Sequence, residues 1–224
     1  SSLILNRINW VYKYMKKKIA ILGSTGSIGK TLLKIISRDK KNFQIVLLTA
    51  NKNYKLLLKQ SEIYNVKNII ISKKKYFEKA KLNTTNKRLN ILNNFENLIK
   101  IFPKRIDYTM SAIVGLEGLL PTIKIIKFTK KIAIANKEPI ICAWNLIKNE
   151  LIKNKTEFFP VDSEHFSVWY ALRGKSTTTI EKIFLTASGG SLLRVNQKKY
   201  KNLKVNQIHN HPKWKMGQKI TVDS

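Results

Sequence analysis

The sequence predicts an α/β fold built on a parallel sheet with helices on both faces. Three observations carry this: short apolar runs recur along the chain, helical stretches separate them, and a glycine-rich loop joins the first run to the first helix. From Lys18 the elements follow in order. Ile19–Leu22 is a short apolar strand, Gly23–Gly29 a tight loop and Lys30–Ser37 a helix. Phe43–Ala50 is a second buried strand, and Tyr54–Tyr64 is helical. The run Asn68-Ile69-Ile70-Ile71-Ser72 is a third strand, β-branched through its centre. Tyr76–Asn83 and Asn94–Ile101 are weaker helical segments. Tyr108–Val114 and Lys131–Ala135 are strands flanking the helix Leu116–Lys127. Phe158–Val161 and Lys182–Ala187 are further strands, with helical Phe166–Leu172 between them. Lys219–Ser224 reads as a last strand whose continuation is absent, the mark of a truncated protein.

At 224 residues, 43% of them hydrophobic, the chain has room for a real core in one large or two small domains. The boundary falls in the polar stretch Asn149–Lys155, dividing 16–150 from 151–224, and residues 1–15 form an extension ahead of the first domain. The formal charge is +30, with 43 Lys+Arg against 13 Asp+Glu. Such a balance ordinarily suggests nucleic acid. Here the surplus is mostly lysine, spread along the chain, and accompanied by abundant Asn and Ile, which argues for a solvated surface in an AT-biased sequence instead. The field would still steer a phosphorylated substrate or cofactor inward. Cys142 is the single cysteine, so no disulfide framework or thiolate cluster is expected; this fits a reducing, cytoplasmic compartment. No apolar run reaches the ~18 residues of a membrane span.

Gly23-Ser24-Thr25-Gly26-Ser27-Ile28-Gly29 follows a strand and opens a helix, the setting of a dinucleotide phosphate loop. Gly23 permits the tight turn, Gly26 lets backbone amides approach a pyrophosphate, and Gly29 allows close packing of helix on strand. The helix start adds unpaired N–H groups and a positive dipole end. An NAD site would carry Asp or Glu at the end of the second strand. That place reads Thr49-Ala50-Asn51-Lys52-Asn53, with no acid and one lysine, which favours NADPH; the competing reading makes Lys52 one more surface lysine.

Pro160-Val161-Asp162-Ser163-Glu164-His165 gathers two carboxylates, a hydroxyl and an imidazole in an acid-poor chain. If Asp162 and Glu164 extend the preceding strand, its period of two puts both on one face. Two oxygen donors there suit a hard divalent cation such as Mg²⁺ or Mn²⁺. Helix capping by Asp162 or Ser163, with Glu164 near the positive helix end, is an equal reading on spacing alone. Cys142, within Pro139-Ile140-Ile141-Cys142-Ala143-Trp144, reads as a buried apolar residue and not as a nucleophile.

The phosphate loop, Ala135-Asn136-Lys137-Glu138, Pro160–His165, Thr186-Ala187-Ser188-Gly189-Gly190 and His211-Pro212-Lys213-Trp214-Lys215-Met216-Gly217 occur in this order. On these five motifs the chain, from about Lys17 to Ser224, resembles the 1-deoxy-D-xylulose 5-phosphate reductoisomerases. The resemblance implies a Rossmann-like NADPH-binding domain, then the start of an α+β catalytic domain, with a C-terminal helical domain missing. It implies NADPH- and metal-dependent conversion of 1-deoxy-D-xylulose 5-phosphate to 2-C-methyl-D-erythritol 4-phosphate in isoprenoid synthesis, with Mg²⁺, Mn²⁺ or Co²⁺, by a homodimer. Thr25, Gly26, Ser27 and Ile28 would hold the cofactor phosphates, with Asn51, Lys52 and Asn53 at its adenosine end. Asn136, Glu138 and Gly217 would also face the cofactor. Asp162 and Glu164 would ligate the metal, a third ligand lying beyond Ser224. Lys137, Ser163, Glu164, Ser188, His211 and Ser224 would bind substrate, with Glu164, Lys137 and His211 closest to the chemistry. Trp214 would cover the bound substrate. The chain departs from the family pattern at Asn51, where glycine is expected, at Ser191-Leu192-Leu193-Arg194 in place of Pro-Phe, and at Pro139, which suits a first helical turn.

Overall fold

Seven runs form one sheet: β1 (Lys17–Leu22), β2 (Phe43–Ala50), β3 (Asn68–Ile71), β4 (Asn90–Leu92), β5 (Ile106–Ser111), β6 (Thr129–Ile134) and β7 (Glu157–Pro160). Their order is β4-β3-β2-β1-β5-β6-β7, and every neighbouring pair is parallel. The computed structural model describes residues 16–186 and 190–209. The chain divides into two compact units, Ser1–Phe166 and Ser167–Ser224. The sheet belongs to the first.

The chain builds outward from β1 to β4 and then returns to lay β5 on the other side of β1. Helices α1 (Ser27–Ser37), α2 (Tyr54–Ile63) and α3 (Lys74–Asn83) lie on the outward path. On the return path come α4 (Leu98–Ile101), α5 (Leu119–Ile126) and α6 (Lys137–Lys153). Parallel crossovers keep one hand, so reversing direction moves the helices to the opposite face. The packing follows. Ile19 and Ile21 of β1 bury against Leu33 and Ile36 of α1, Leu57 of α2 and Ala80 of α3. Their alternates Ala20 and Leu22 join Leu98, Ile125, Ile126, Ile147 and Leu151 from α4, α5 and α6. Strands buried on both faces must read as continuous apolar runs, and this is why the sequence pattern identifies them. Between β1 and β2 the register skips one residue, Ile19 pairing Ile45 and Ala20 pairing Leu47.

Several expectations are corrected. Glu181–Thr186 is not a strand: the segment has no regular structure and Phe184 is 82% exposed. An apolar run becomes a strand only where a sheet edge and a packing surface receive it. The helix expected over Leu116–Lys127 starts as a 3-10 turn, Leu116–Gly118, and becomes α-helical at Leu119. Helix Asn94–Ile101 is reduced to α4. Strand β4 and the 17-residue α6 are additions. Helix α6 escapes a periodic reading because Ala143 (φ −144°, ψ 33°) kinks it, and its buried positions Pro139, Ile147 and Leu151 keep helical spacing only beyond the kink. Cys142 is exposed, not buried, because it lies on the side of α6 away from that core stripe. The expected strand Lys219–Ser224 and the extension 1–15 fall outside the described residues.

Candidate functional site

In a parallel sheet all carboxyl ends share one edge, and a crevice opens where the strand order reverses, here between β1 and β5. The phosphate loop, Asn51–Asn53, Asn136–Glu138 and Asp162–Glu164 follow β1, β2, β6 and β7, so all four reach this edge. Ser188, His211, Gly217 and Ser224, with Trp214, lie outside the described residues.

At the phosphate loop the three glycines differ in kind. Gly23 has φ +79°, and a Cβ there would stand 2.6 Å from the Ala112 carbonyl oxygen. At Gly29 a Cβ would come within 2.5 Å of the Gly23 carbonyl oxygen and Ser24 Cα, which binds α1 tightly to its own loop. Gly26 is different. A Cβ there would meet only the Gly23 oxygen, at 3.4 Å, an ordinary contact. The space over Gly26 is therefore open to a ligand. Gly26 is also the N-cap of α1 and supplies no side-chain cap, and no acid stands in the first turn. The helix start thus keeps its unpaired N–H groups and positive end for an anion.

Two residues outside the motif hold this loop. Gly23 N–H donates to Thr49 Oγ1 at 3.0 Å, and Ser24 N–H donates to the Thr49 carbonyl at 2.9 Å. Ser24 Oγ donates to Gln60 Oε1 at 2.7 Å, while Gln60 Nε2 donates to the Ser24 carbonyl at 3.0 Å. Ser24, Thr49 and Gln60 are all buried, so each bond would be costly to lose. Gln60 had one legible signal: a polar side chain, followed by Ser61, at helical spacing from the buried Leu57.

At the end of β2, Asn53 caps α2, its side chain accepting from Leu56 N–H. Asn51 takes no left-handed conformation; among non-glycine described residues only Asn65 and Lys155 have positive φ. The turn that would favour glycine is therefore not used here. Asn51 Nδ2 instead donates to Glu117 Oε2 at 3.0 Å. Lys52 is exposed.

Asn136 is buried and uses its whole amide. Its Nδ2 donates to the carbonyls of Ile113 and, at 2.6 Å, of Gly115, and its Oδ1 accepts from Glu138 N–H at 3.2 Å as the N-cap of α6. It ties the turn after β5 to the start of α6. Lys137 is the first residue of that helix and exposed. A cation is unfavourable beside a positive helix end. Pro139 occupies the first turn, as its fixed φ allows.

The carboxylates do not continue β7. The strand ends at Pro160, and α7 (Ser163–Leu172) starts at once, with Glu164 in its first turn. Asp162 acts as its cap: Oδ1 accepts from His165 N–H at 3.0 Å and from His165 Nδ1 at 2.7 Å. The shared strand face expected for Asp162 and Glu164 is therefore replaced by a cap and first helical turn, because the carboxylate satisfies an N–H that a strand would have left to a neighbour. Burial opposes ionisation of Asp162, but the His165 backbone and ring bonds outweigh it and hold the carboxyl below its ordinary range. Carboxylate oxygens are the donors a hard divalent cation takes. Both His165 bonds fall on Oδ1, so a cation would be met through the other oxygen. Among the described residues no three His, Cys, Asp or Glu side chains gather into a metal set, so Asp162 and Glu164 offer at most part of one.

Other concavities lie elsewhere. A cleft of about 340 Å³ lined by Phe102, Arg105 and Phe128 and another of about 550 Å³ lined by Lys18, Phe43 and Tyr64 open near the amino ends of the strands, away from the loops. No helix among the described residues is long and apolar enough to cross a membrane.

Comparison with known proteins bears on this edge directly. The family model described as 1-deoxy-D-xylulose 5-phosphate reductoisomerase matches residues 19–144, and that of its C-terminal domain matches residues 158–224. A reductoisomerase from Pelagibacter ubique is 55% identical over 210 residues, 93% of this chain and 54% of its own length. One from a Wolbachia of Culex pipiens is 38% identical over 209 residues. The chain spans about half the length of the curated relatives it matches. Among solved structures, the Zymomonas mobilis reductoisomerase in complex with NADPH has a TM-score of 0.81 at 28% identity, over 88% of this chain and 52% of that one. A reductoisomerase in complex with NADPH, fosmidomycin and magnesium has a TM-score of 0.79 at 34% identity, over 92% and 54%. With one family model covering more than half of its residues, the chain belongs to the 1-deoxy-D-xylulose 5-phosphate reductoisomerase family.

Proposed function

We propose that this chain carries the cofactor-binding and part of the catalytic machinery of an NADPH- and divalent-metal-dependent enzyme. It would isomerise and reduce 1-deoxy-D-xylulose 5-phosphate to 2-C-methyl-D-erythritol 4-phosphate. One observation carries the reading: an uncapped helix start under an open Gly26 and a carboxylate-bearing turn at Asp162 share one sheet edge. With strands spaced ~4.8 Å apart, β1 and β7 stand roughly 14 Å from each other along that edge. A dinucleotide lying over β5 and β6 would bring its nicotinamide end toward the carboxylates.

The roles follow from chemistry. Thr25, Gly26, Ser27 and Ile28 would bind the pyrophosphate through backbone N–H groups, and Asn51, Lys52 and Asn53 the adenosine end. Asn136 would position the cofactor's nicotinamide side by fixing the Ile113–Gly115 turn, beside Glu138 and Gly217. A divalent ion, when bound, polarises the substrate carbonyl and stabilises negative charge on its oxygens. Asp162 and Glu164 would hold it, magnesium being the ion in the related structure and manganese an alternative. Lys137, at a helix start that otherwise disfavours a cation, would gain most from an anionic substrate. Ser163, Ser188, His211 and Ser224 are hydroxyl and imidazole donors for hydroxyl and phosphate oxygens. The division of the chain near Asn149–Lys155, a cytoplasmic location and a homodimeric assembly complete the proposal.

The test is NADPH oxidation by the full-length protein with 1-deoxy-D-xylulose 5-phosphate, with and without Mn²⁺. Metal-dependent turnover that disappears in Glu164→Ala supports the assignment. Turnover that ignores both the metal and Glu164 removes it.

A further inference from the structure

The cofactor's 2′ position separates NADPH from NADH, and folding brings to the end of β2 an acid that the linear sequence does not show there. No acid occurs within Thr49–Asn53. Yet Glu117, 66 residues beyond Asn51, arrives at the end of β2, where its Oε2 accepts from Asn51 Nδ2 at 3.0 Å. This is the place from which an acidic residue ordinarily accepts a hydrogen bond from a ribose 2′-hydroxyl. We propose that Glu117 determines cofactor specificity. It accepts a hydrogen bond from a ribose 2′-hydroxyl and opposes a 2′-phosphate, so that NADH competes with NADPH at this site. The inference rests on the dinucleotide reading given above.

Glu117 is presented by a stiff support. Its 3-10 turn follows Gly115, whose φ is +75°. Asn136 Nδ2 grips the Gly115 carbonyl at 2.6 Å, and Thr122 Oγ1 donates to the Gly118 carbonyl at 2.6 Å. At Gly118 a Cβ would stand 2.7 Å from the Ile113 carbonyl oxygen, so the turn has no slack beneath it. On the other side, the Asn51 carbonyl accepts from Lys73 N–H at 3.3 Å. Both ends of the Asn51–Glu117 link are thus anchored in backbone. Lys52 stands next to Asn51 with the opposite charge and favours a 2′-phosphate. The two side chains set opposing preferences at one position. A carboxylate beside a 2′-phosphate in a partly solvated site changes affinity by roughly tenfold.

The experiment measures dissociation constants of NADPH and NADH by nucleotide fluorescence. It uses the full-length protein as wild type, Glu117→Gln, Glu117→Ala and Lys52→Ala, at low and high salt. Glu117→Gln is expected to tighten NADPH and weaken NADH, moving their affinity ratio roughly tenfold toward NADPH. Lys52→Ala moves the ratio the other way. High salt shrinks the NADPH part of the change, as a charge effect requires. A wild type that binds NADPH, with both Glu117 variants keeping its ratio to within about twofold, overturns this proposal and leaves the dinucleotide reading standing. A wild type that binds neither nucleotide overturns both.

Discussion

Asp162 caps α7, and the metal role proposed for it can be separated from the cap by single substitutions. As a cap it needs only an acceptor oxygen, which Asn supplies equally well; as a metal ligand it needs charge. Asp162→Asn should therefore keep most of the cap's stability and lose metal-dependent turnover, whereas Asp162→Ala should lose both, with about 1 kcal/mol of stability. Calorimetry beside the NADPH assay reads the two effects. The pH dependence has a definite sign. The folded carboxyl titrates below its ordinary 3.8, so the share of the cap's stability that depends on its charge is complete above that value and is lost as pH falls through the lowered one, while the neutral acceptor's share stays. Thr109 offers a different test. Its buried hydroxyl finds no hydrogen-bond partner among the described residues. Thr109→Val, keeping the shape and removing the orphan, should raise the melting temperature by an amount equivalent to about 1 kcal/mol. Individual residue roles were only partly legible in the sequence. Asp162 could be read as cap or ligand because both use the same oxygen, while Gln60 and Glu117 act across 36 and 66 residues that no local pattern connects.

The strand–loop–helix unit of β1 and α1 lets architecture be told from ligand contact with two glycines three residues apart. Gly29→Ala forces a methyl against unyielding backbone at 2.5 Å and should destabilise the protein by about 1–3 kcal/mol. Gly26→Ala meets an ordinary contact at 3.4 Å. It should leave the melting temperature nearly unchanged while weakening NADPH binding, read by fluorescence titration of both variants. Gln60→Leu is a third probe of this unit. It leaves the Ser24 hydroxyl only the longer bond to the Thr49 carbonyl at 3.3 Å, takes the Gln60 donor from the Ser24 carbonyl, and should raise the NADPH dissociation constant roughly tenfold, with Gln60→Glu restoring part of the loss if one acceptor oxygen suffices. At this scale the sequence read well. Phe43–Ala50 matches β2 at both ends because a strand covered on both faces reads as a nearly continuous apolar run, broken here only by Gln44 and Thr49. Helix α6 and the unstructured 181–186 failed for different reasons: the first hides its period behind a kink, and the second is a short apolar run that stays exposed and takes no regular structure.

Across the whole molecule, the charge of +30 sets a field that any polyanionic ligand must feel. NADPH association should slow as salt rises, more steeply than NADH association, which stopped-flow measurement at several ionic strengths would read; equal slopes would show that the lysines act as solvated surface alone. The class of the fold, a parallel sheet covered on both faces, was present in the sequence as alternating strands and helices, while the strand order, β4 and α6 came only with the structure. What the sequence withheld is which distant segments are tied together. Asn136 is the clearest such tie, with one amide nitrogen facing two carbonyl oxygens. Hydrolysis of that amide to a carboxylate, a slow chemical ageing that asparagines undergo, would turn two attractions into two repulsions. A single buried nitrogen thus decides whether two distant turns are drawn together or pushed apart.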